Sequence, residues 1–166
     1  MKGDCKKEVP DEKADGGGRV KKQKHSKDCL QACLAELLSI DYSEVPEFYK
    51  IFPNMFESWT DEEFHRFRNE FDKWLSSRGY IRVTIDVIFD KESYAIRMPY
   101  VSSNFFRCIG ILKKPDRKYS HAVVLSVTDN SKIEMDDPKE DSDYDLSDIK
   151  QIELFFRSGE SEQAKE

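Results

Sequence analysis

From Asp28 to Ser39 the apolar residues Leu30, Cys33, Leu34, Leu37 and Leu38 recur at helical spacing, and Asp28 stands where an N-cap would. This pattern predicts a mostly buried first helix. The segment from Ser43 to Phe48, with Pro46 inside it, predicts a short second helix or turn, and Phe52 to Phe56 reads as loop. At Thr60 to Glu63 a capping-box sequence opens a strongly amphipathic run that carries Phe64, Phe67, Phe71, Trp74 and Leu75 on one face and stops at Gly79. That is a complete local code for a helix, with start, stripe and stop all present. Beyond Gly79 the period changes from helical to alternating, first over Tyr80–Val87. Further strand-like runs follow at about 107–112, 121–127, 132–135 and 151–156. Helices first and strands afterwards predict an α+β domain with its N-terminal helices packed on a mostly antiparallel sheet.

The chain has 166 residues, enough for one core of ordinary size and too few for two comfortable domains. Residues 1–20 are charged and glycine-rich with few large apolar side chains, and 159–166 are similar. Such segments bury too little surface to offset the entropy of ordering, so both are expected to be flexible tails around one domain at 21–158. The net charge of −6 argues against a nucleic-acid surface, and the Lys21-Lys22-Gln23-Lys24 cluster is too short to reverse that. No run approaches the roughly 20 apolar residues of a membrane span, and no N-terminal stretch looks like a secretory signal. Cys5, Cys29, Cys33 and Cys108 do not form a disulfide framework. A reducing, cytoplasmic setting follows as the expectation, in which a cysteine is catalytic, metal-binding or simply buried.

Cys29 is the cysteine to which chemistry points. It opens the first helix, where the positive end of the helix dipole favours thiolate over thiol. Gln23 lies six residues before it, His121 starts a strand-like run, and Asp136 and Asp137 precede Pro138 at the end of the next. An amide donor, a cysteine, a histidine and a carboxylate in that order outline a cysteine hydrolase. In that outline Cys29 is the nucleophile and His121 the base, and an aspartate, Asp136 or Asp137, orients the imidazole. The plain alternatives are a buried cap-region cysteine, a strand-end histidine on a carbonyl, and a turn-forming aspartate before proline. Asp136 competes with Asp137. Cys33 and Cys108 read as core, Cys5 as tail, His65 as surface, and His25 as a loop residue near the site. A zinc set from His25, Cys29, Cys33 and His121 lacks a second clear ligand pair. The acidic run from Asp137 to Asp145 lacks the glycine and terminal glutamate of an EF-hand and reads as a solvated loop.

The segment Gln23-x4-Asp28-Cys29-x2-Ala32-Cys33-Leu34-Ala35 resembles the start of the papain-like peptidase domains of bacteriocin-exporting transporters. His121-Ala-Val-Val and Asp136-Asp137-Pro138 resemble that group's remaining motifs, and Val45-Pro46-Glu47-Phe48 is similar to a segment of small stand-alone bacterial and phage relatives. The resemblance implies a papain-like fold and a Cys29–His121–Asp137 triad assisted by Gln23, with Asp137 preferred because the family carboxylate directly precedes proline. It implies hydrolysis of a peptide, isopeptide or other amide in a peptide or protein substrate, with no cofactor and no metal. The transporter peptidases carry glycine after the cysteine where this chain has Leu30, so the fold carries over more fully than the substrate. Two other readings share the scaffold: a non-catalytic binding or host-interaction protein, and an acyl or amide transferase. A hydrolase is expected to have an open cleft at Cys29, whereas a binding module can have it filled. Specificity is expected in the loops at about 51–59 and 90–104.

Overall fold

The computed structural model describes residues 22–158 apart from 26, 54–59, 88, 91–94, 97–105 and 128–132, and for 89–90 and 95–96 it describes the backbone alone. Both tails, Cys5 and most of the two loops expected to carry specificity lie outside the described residues. Three α-helices, α1 (Cys29–Leu37), α2 (Phe48–Ile51) and α3 (Asp61–Ser77), precede seven strands. The strands are β1 (Tyr80–Asp86), β2 (Phe89–Asp90), β3 (Ala95–Ile96), β4 (Phe106–Leu112), β5 (His121–Val127), β6 (Ile133–Asp136) and β7 (Ile149–Arg157). Five of them form one antiparallel sheet in the order β1-β7-β4-β5-β6, and β2 pairs with β3 as a separate ribbon. The molecule is therefore α+β.

Helix α1 stops two residues before the predicted end, because Ser39 takes a left-handed conformation at φ 54°. The following turn is fastened by Gln31, a buried polar residue whose Nε2 donates to the carbonyls of Tyr42 and Val45 at 3.0 and 3.1 Å. Between α1 and α2 the chain makes a 3₁₀ turn at Tyr42–Glu44, where the sequence allowed either helix or turn. Helix α3 follows its local code. The Thr60 hydroxyl accepts from the Glu63 N–H, the Glu63 carboxylate accepts from the Thr60 N–H, and Gly79 leaves the helix at φ 74°.

One face of the sheet is covered by the helices, with α1 over β4 and β5 and α3 over β1. The core there joins Cys33, Leu34, Phe67, Phe71 and Leu75 to Ile109, Ala122 and Val124. Phe48 packs edge-on against Phe67, Phe71 and Trp74, so α2, though only one turn long, is held by aromatic contacts. On the other face Cys108, Leu112, Val123, Leu125, Ile149 and Ile152 form a second cluster. Strand β1 departs from what alternation suggests, because its aliphatic residues Ile81 and Val83 are exposed while the Arg82 side chain is buried against α3. Arg82 crosses the Phe71 ring at 4.7 Å and bonds Asp72 on α3 and Glu153 on β7. Polar residues thus sit under the helix because they pair there.

Candidate active site

Antiparallel pairing of β5 with β6 places the start of one strand beside the end of the other, since Val124 faces Asp136. His121 and Asp137, 16 residues apart in sequence, meet as a result, and the His121 Nε2 lies 2.7 Å from Asp137 Oδ1. Asp137 is the carboxylate bonded to the imidazole; its neighbour Asp136 belongs to β6 and is paired in register with Val124. Nε2 is thus committed to Asp137, and Cys29 lies close enough to act on the imidazole. Tyr144 stacks on it with ring centroids 5.1 Å apart, and the Tyr144 hydroxyl donates to the Tyr119 carbonyl at 3.3 Å.

Burial of His121 opposes its charged form, but hydrogen bonds to Asp137 and Cys29, together with their charges, outweigh it and raise the imidazole to about 9. At neutral pH both ring nitrogens then carry protons, and Nε2 donates to Asp137. Burial also acts on Asp137, yet hydrogen bonds from His121, Ser142 and the Lys139 amide hold it below the usual carboxylate range. Cys33, one turn further along α1, behaves oppositely, because complete burial and then the charges of Cys29 and Asp137 push its thiol well up. Cys108 is pushed up to about 12 by burial alone.

The predicted cap at the start of α1 is replaced by something else. Asp28 precedes the helix but makes no side-chain cap bond to it. Its Oδ2 instead accepts from the N–H groups of Lys24 and His25 at 3.0 and 2.9 Å and from the Tyr42 hydroxyl. A fully buried carboxylate needs such donors, and Tyr42 arrives from the turn beyond the helix. Two consequences follow for the site. Lys24 and His25 are tied back onto Asp28 in a ring of hydrogen bonds, and the Asp28 carboxylate leaves the first-turn N–H groups of α1, that of Cys29 among them, available as donors.

Gln23 enters this ring from the other side. Its backbone N–H donates to the Pro138 carbonyl at 3.2 Å, tying the segment before Cys29 to the segment after Asp137. Its Oε1 is buried with no hydrogen-bond partner among the described residues, and no described hydrogen bond joins its side chain to Cys29 or His121. His25 and His65 are exposed. Among the described residues no group of three or more His, Cys, Asp or Glu side chains is arranged to hold a metal ion.

Cys29 itself is 3% exposed, so the open cleft expected at the sulfur is not there. A cavity does open immediately beside it, bordered by Leu30 and His121. Sequence reasoning missed Asp28 as a loop clasp and Tyr144 as the support of the imidazole. Tyr144 belongs to the acidic run read as a solvated loop, and its only sequence signal was an aromatic residue in that run. No helix among the described residues is long and apolar enough to cross a membrane. Comparison of the chain with models of protein families, with curated proteins and with solved structures gives no match.

Proposed function

We propose that this protein is a papain-like cysteine hydrolase that cleaves a peptide, isopeptide or other amide. The observation that carries the reading is His121 paired with Asp137 and close enough to Cys29, the first residue of α1, for each to act on the imidazole. In the reaction the Cys29 thiolate attacks the carbonyl carbon, forming a C–S bond while the carbonyl oxygen takes the negative charge. The Cys29 N–H and the Gln23 side-chain amide stabilise that oxyanion. His121 then gives its Nδ1 proton to the leaving amine as the C–N bond breaks, and Asp137 keeps the ring in place through Nε2. Water, deprotonated by His121, attacks the thioester; the C–S bond breaks and the thiolate returns. A nucleophile other than water at this step gives acyl transfer by the same chemistry.

A second reading, a binding protein on the same scaffold, is favoured by one observation, the burial of Cys29. Alkylation with iodoacetamide at pH 5.5–6, with the modified residue identified by mass spectrometry, separates the two. The hydrolase reading expects Cys29 to label well ahead of Cys33 and Cys108 and His121→Ala to slow that labelling by roughly tenfold or more. Equal slow labelling of all three cysteines in the folded protein sinks the hydrolase reading and leaves the binding scaffold.

A further inference from the structure

The cavity beside His121 has a volume of about 190 Å³, well above the roughly 10–15 Å³ that one water needs. Part of its wall is apolar, formed by Leu30, Phe67, Ile111 and Ala122. The charged groups that line it are Arg68, Arg82, Glu153 and the protonated His121, three cations against one carboxylate. The Arg82 side chain is 4% exposed, with Nε 3.0 Å from Asp72 Oδ1 and Nη1 2.8 Å from Glu153 Oε1. Its third nitrogen, Nη2, is buried with no hydrogen-bond partner among the described residues. Such orphaned donors are rare in folded proteins, and a charged one is the costliest kind. Arg68 is exposed on α3, where its guanidinium stands 5.7 Å from the Phe64 ring centroid, and it makes no ion pair among the described residues.

We infer that this cavity is a recognition pocket for an acidic side chain of a peptide, whose methylene stem lies along the apolar wall and whose carboxylate meets Arg68 and Arg82. A basic side chain would add a further cation to the lining. An aliphatic one leaves the excess positive charge of the lining unanswered, and a neutral amide supplies an acceptor but not the missing negative charge. Among ordinary side chains of this length, glutamate satisfies all three conditions. The assignment of the pocket to substrate selection rests on the hydrolase reading, but the binding itself does not require Cys29.

The test therefore uses the Cys29→Ala protein, titrated with N-acetyl-glutamate methylamide and with its glutamine and methionine counterparts while backbone amide NMR signals are followed. Signals of Ile111, Ala122 and Gln151 are expected to move, with affinity falling from glutamate to glutamine to methionine and roughly tenfold or more between the extremes. About 0.5 M salt should weaken the glutamate compound most. Arg82→Met strips the partner from buried Glu153 and endangers folding, so the decisive variant is Arg68→Gln, which is expected to abolish the margin of glutamate over glutamine. Equal affinities for glutamate and methionine, shifts confined to other parts of the molecule, or an unchanged margin in Arg68→Gln each overturn the pocket. Selective Cys29 labelling without this binding removes the pocket and spares the hydrolase; this binding with an unreactive Cys29 does the reverse.

Discussion

A buried imidazole ordinarily loses its proton, and His121 keeps one because it lies between two groups that are negative or become so. Its titration is thus a direct readout of the site. NMR of the ring should give a midpoint near 9, and Asp137→Asn should move it down toward the ordinary value near 6.5. The folded-state value is raised, so the stabilisation from His121 is complete below about pH 6.5 and is lost as pH rises through about 9. It amounts to on the order of 3 kcal/mol. Urea unfolding of the parent and of Asp137→Asn at pH 6 and at pH 9.5 should show a gap between the two proteins that shrinks at the higher pH. An unchanged gap would mean that the carboxylate is not holding the proton. At this scale the sequence was informative where a residue's role is tied to a local motif: Cys29 opens a helix, His121 opens a strand, and Asp137 precedes proline. It was uninformative where the partner comes from elsewhere. Asp28 reads as an N-cap, but the Tyr42 hydroxyl and two upstream amides claim its carboxylate, and no short-range pattern announces them.

Among the elements α3 was the most legible, because its cap, apolar stripe and terminating glycine all lie within the helix and its immediate flanks. The cap is also separable from the rest. Thr60→Ala removes an acceptor for the Glu63 N–H and should lower stability by about 1 kcal/mol, read as a shift of the urea midpoint with unchanged slope. A slope change would indicate that α3 unfolds apart from the domain. The five strands of the main sheet were legible, one as an alternating run and four as strand-like runs, with ends displaced by at most two residues, whereas the short pair β2 and β3 was not. Alternation did not tell which side of β1 packs under the helix. It marks two faces, and a polar face is buried only when its charges meet partners on other strands and helices, as Arg82 does with Asp72 and Glu153. The short helix α2 was open to either reading because its stability comes from Phe48 meeting α3 and not from its own four residues.

For the molecule as a whole, Asp72, Arg82 and Glu153 join α3, β1 and β7 through a pair of charges largely withdrawn from water. Glu153→Leu alone should cost about 3–5 kcal/mol by leaving Arg82 buried without its main partner, whereas Arg82→Met combined with Glu153→Leu should recover most of that. Denaturant unfolding of the single and double variants measures the difference, and an equal loss in both would mean that the pair supports the fold beyond its own charges. The core between helices and sheet follows from the order of helices and strands in sequence, but the second cluster on the other face and the place of β7 between β1 and β4 do not, because no local signal specifies which strands become neighbours. That place has a consequence for how the protein is made. Along the chain Cys29 precedes His121 and Asp137, and β7 is the last of the described strands. Until β7 emerges, β1 and α3 have no strand joining them to β4 and β5. A nascent chain can therefore pair β5 with β6, and so bring His121 to Asp137, before the sheet is whole, and the half that carries α3 docks only when β7 inserts in the middle.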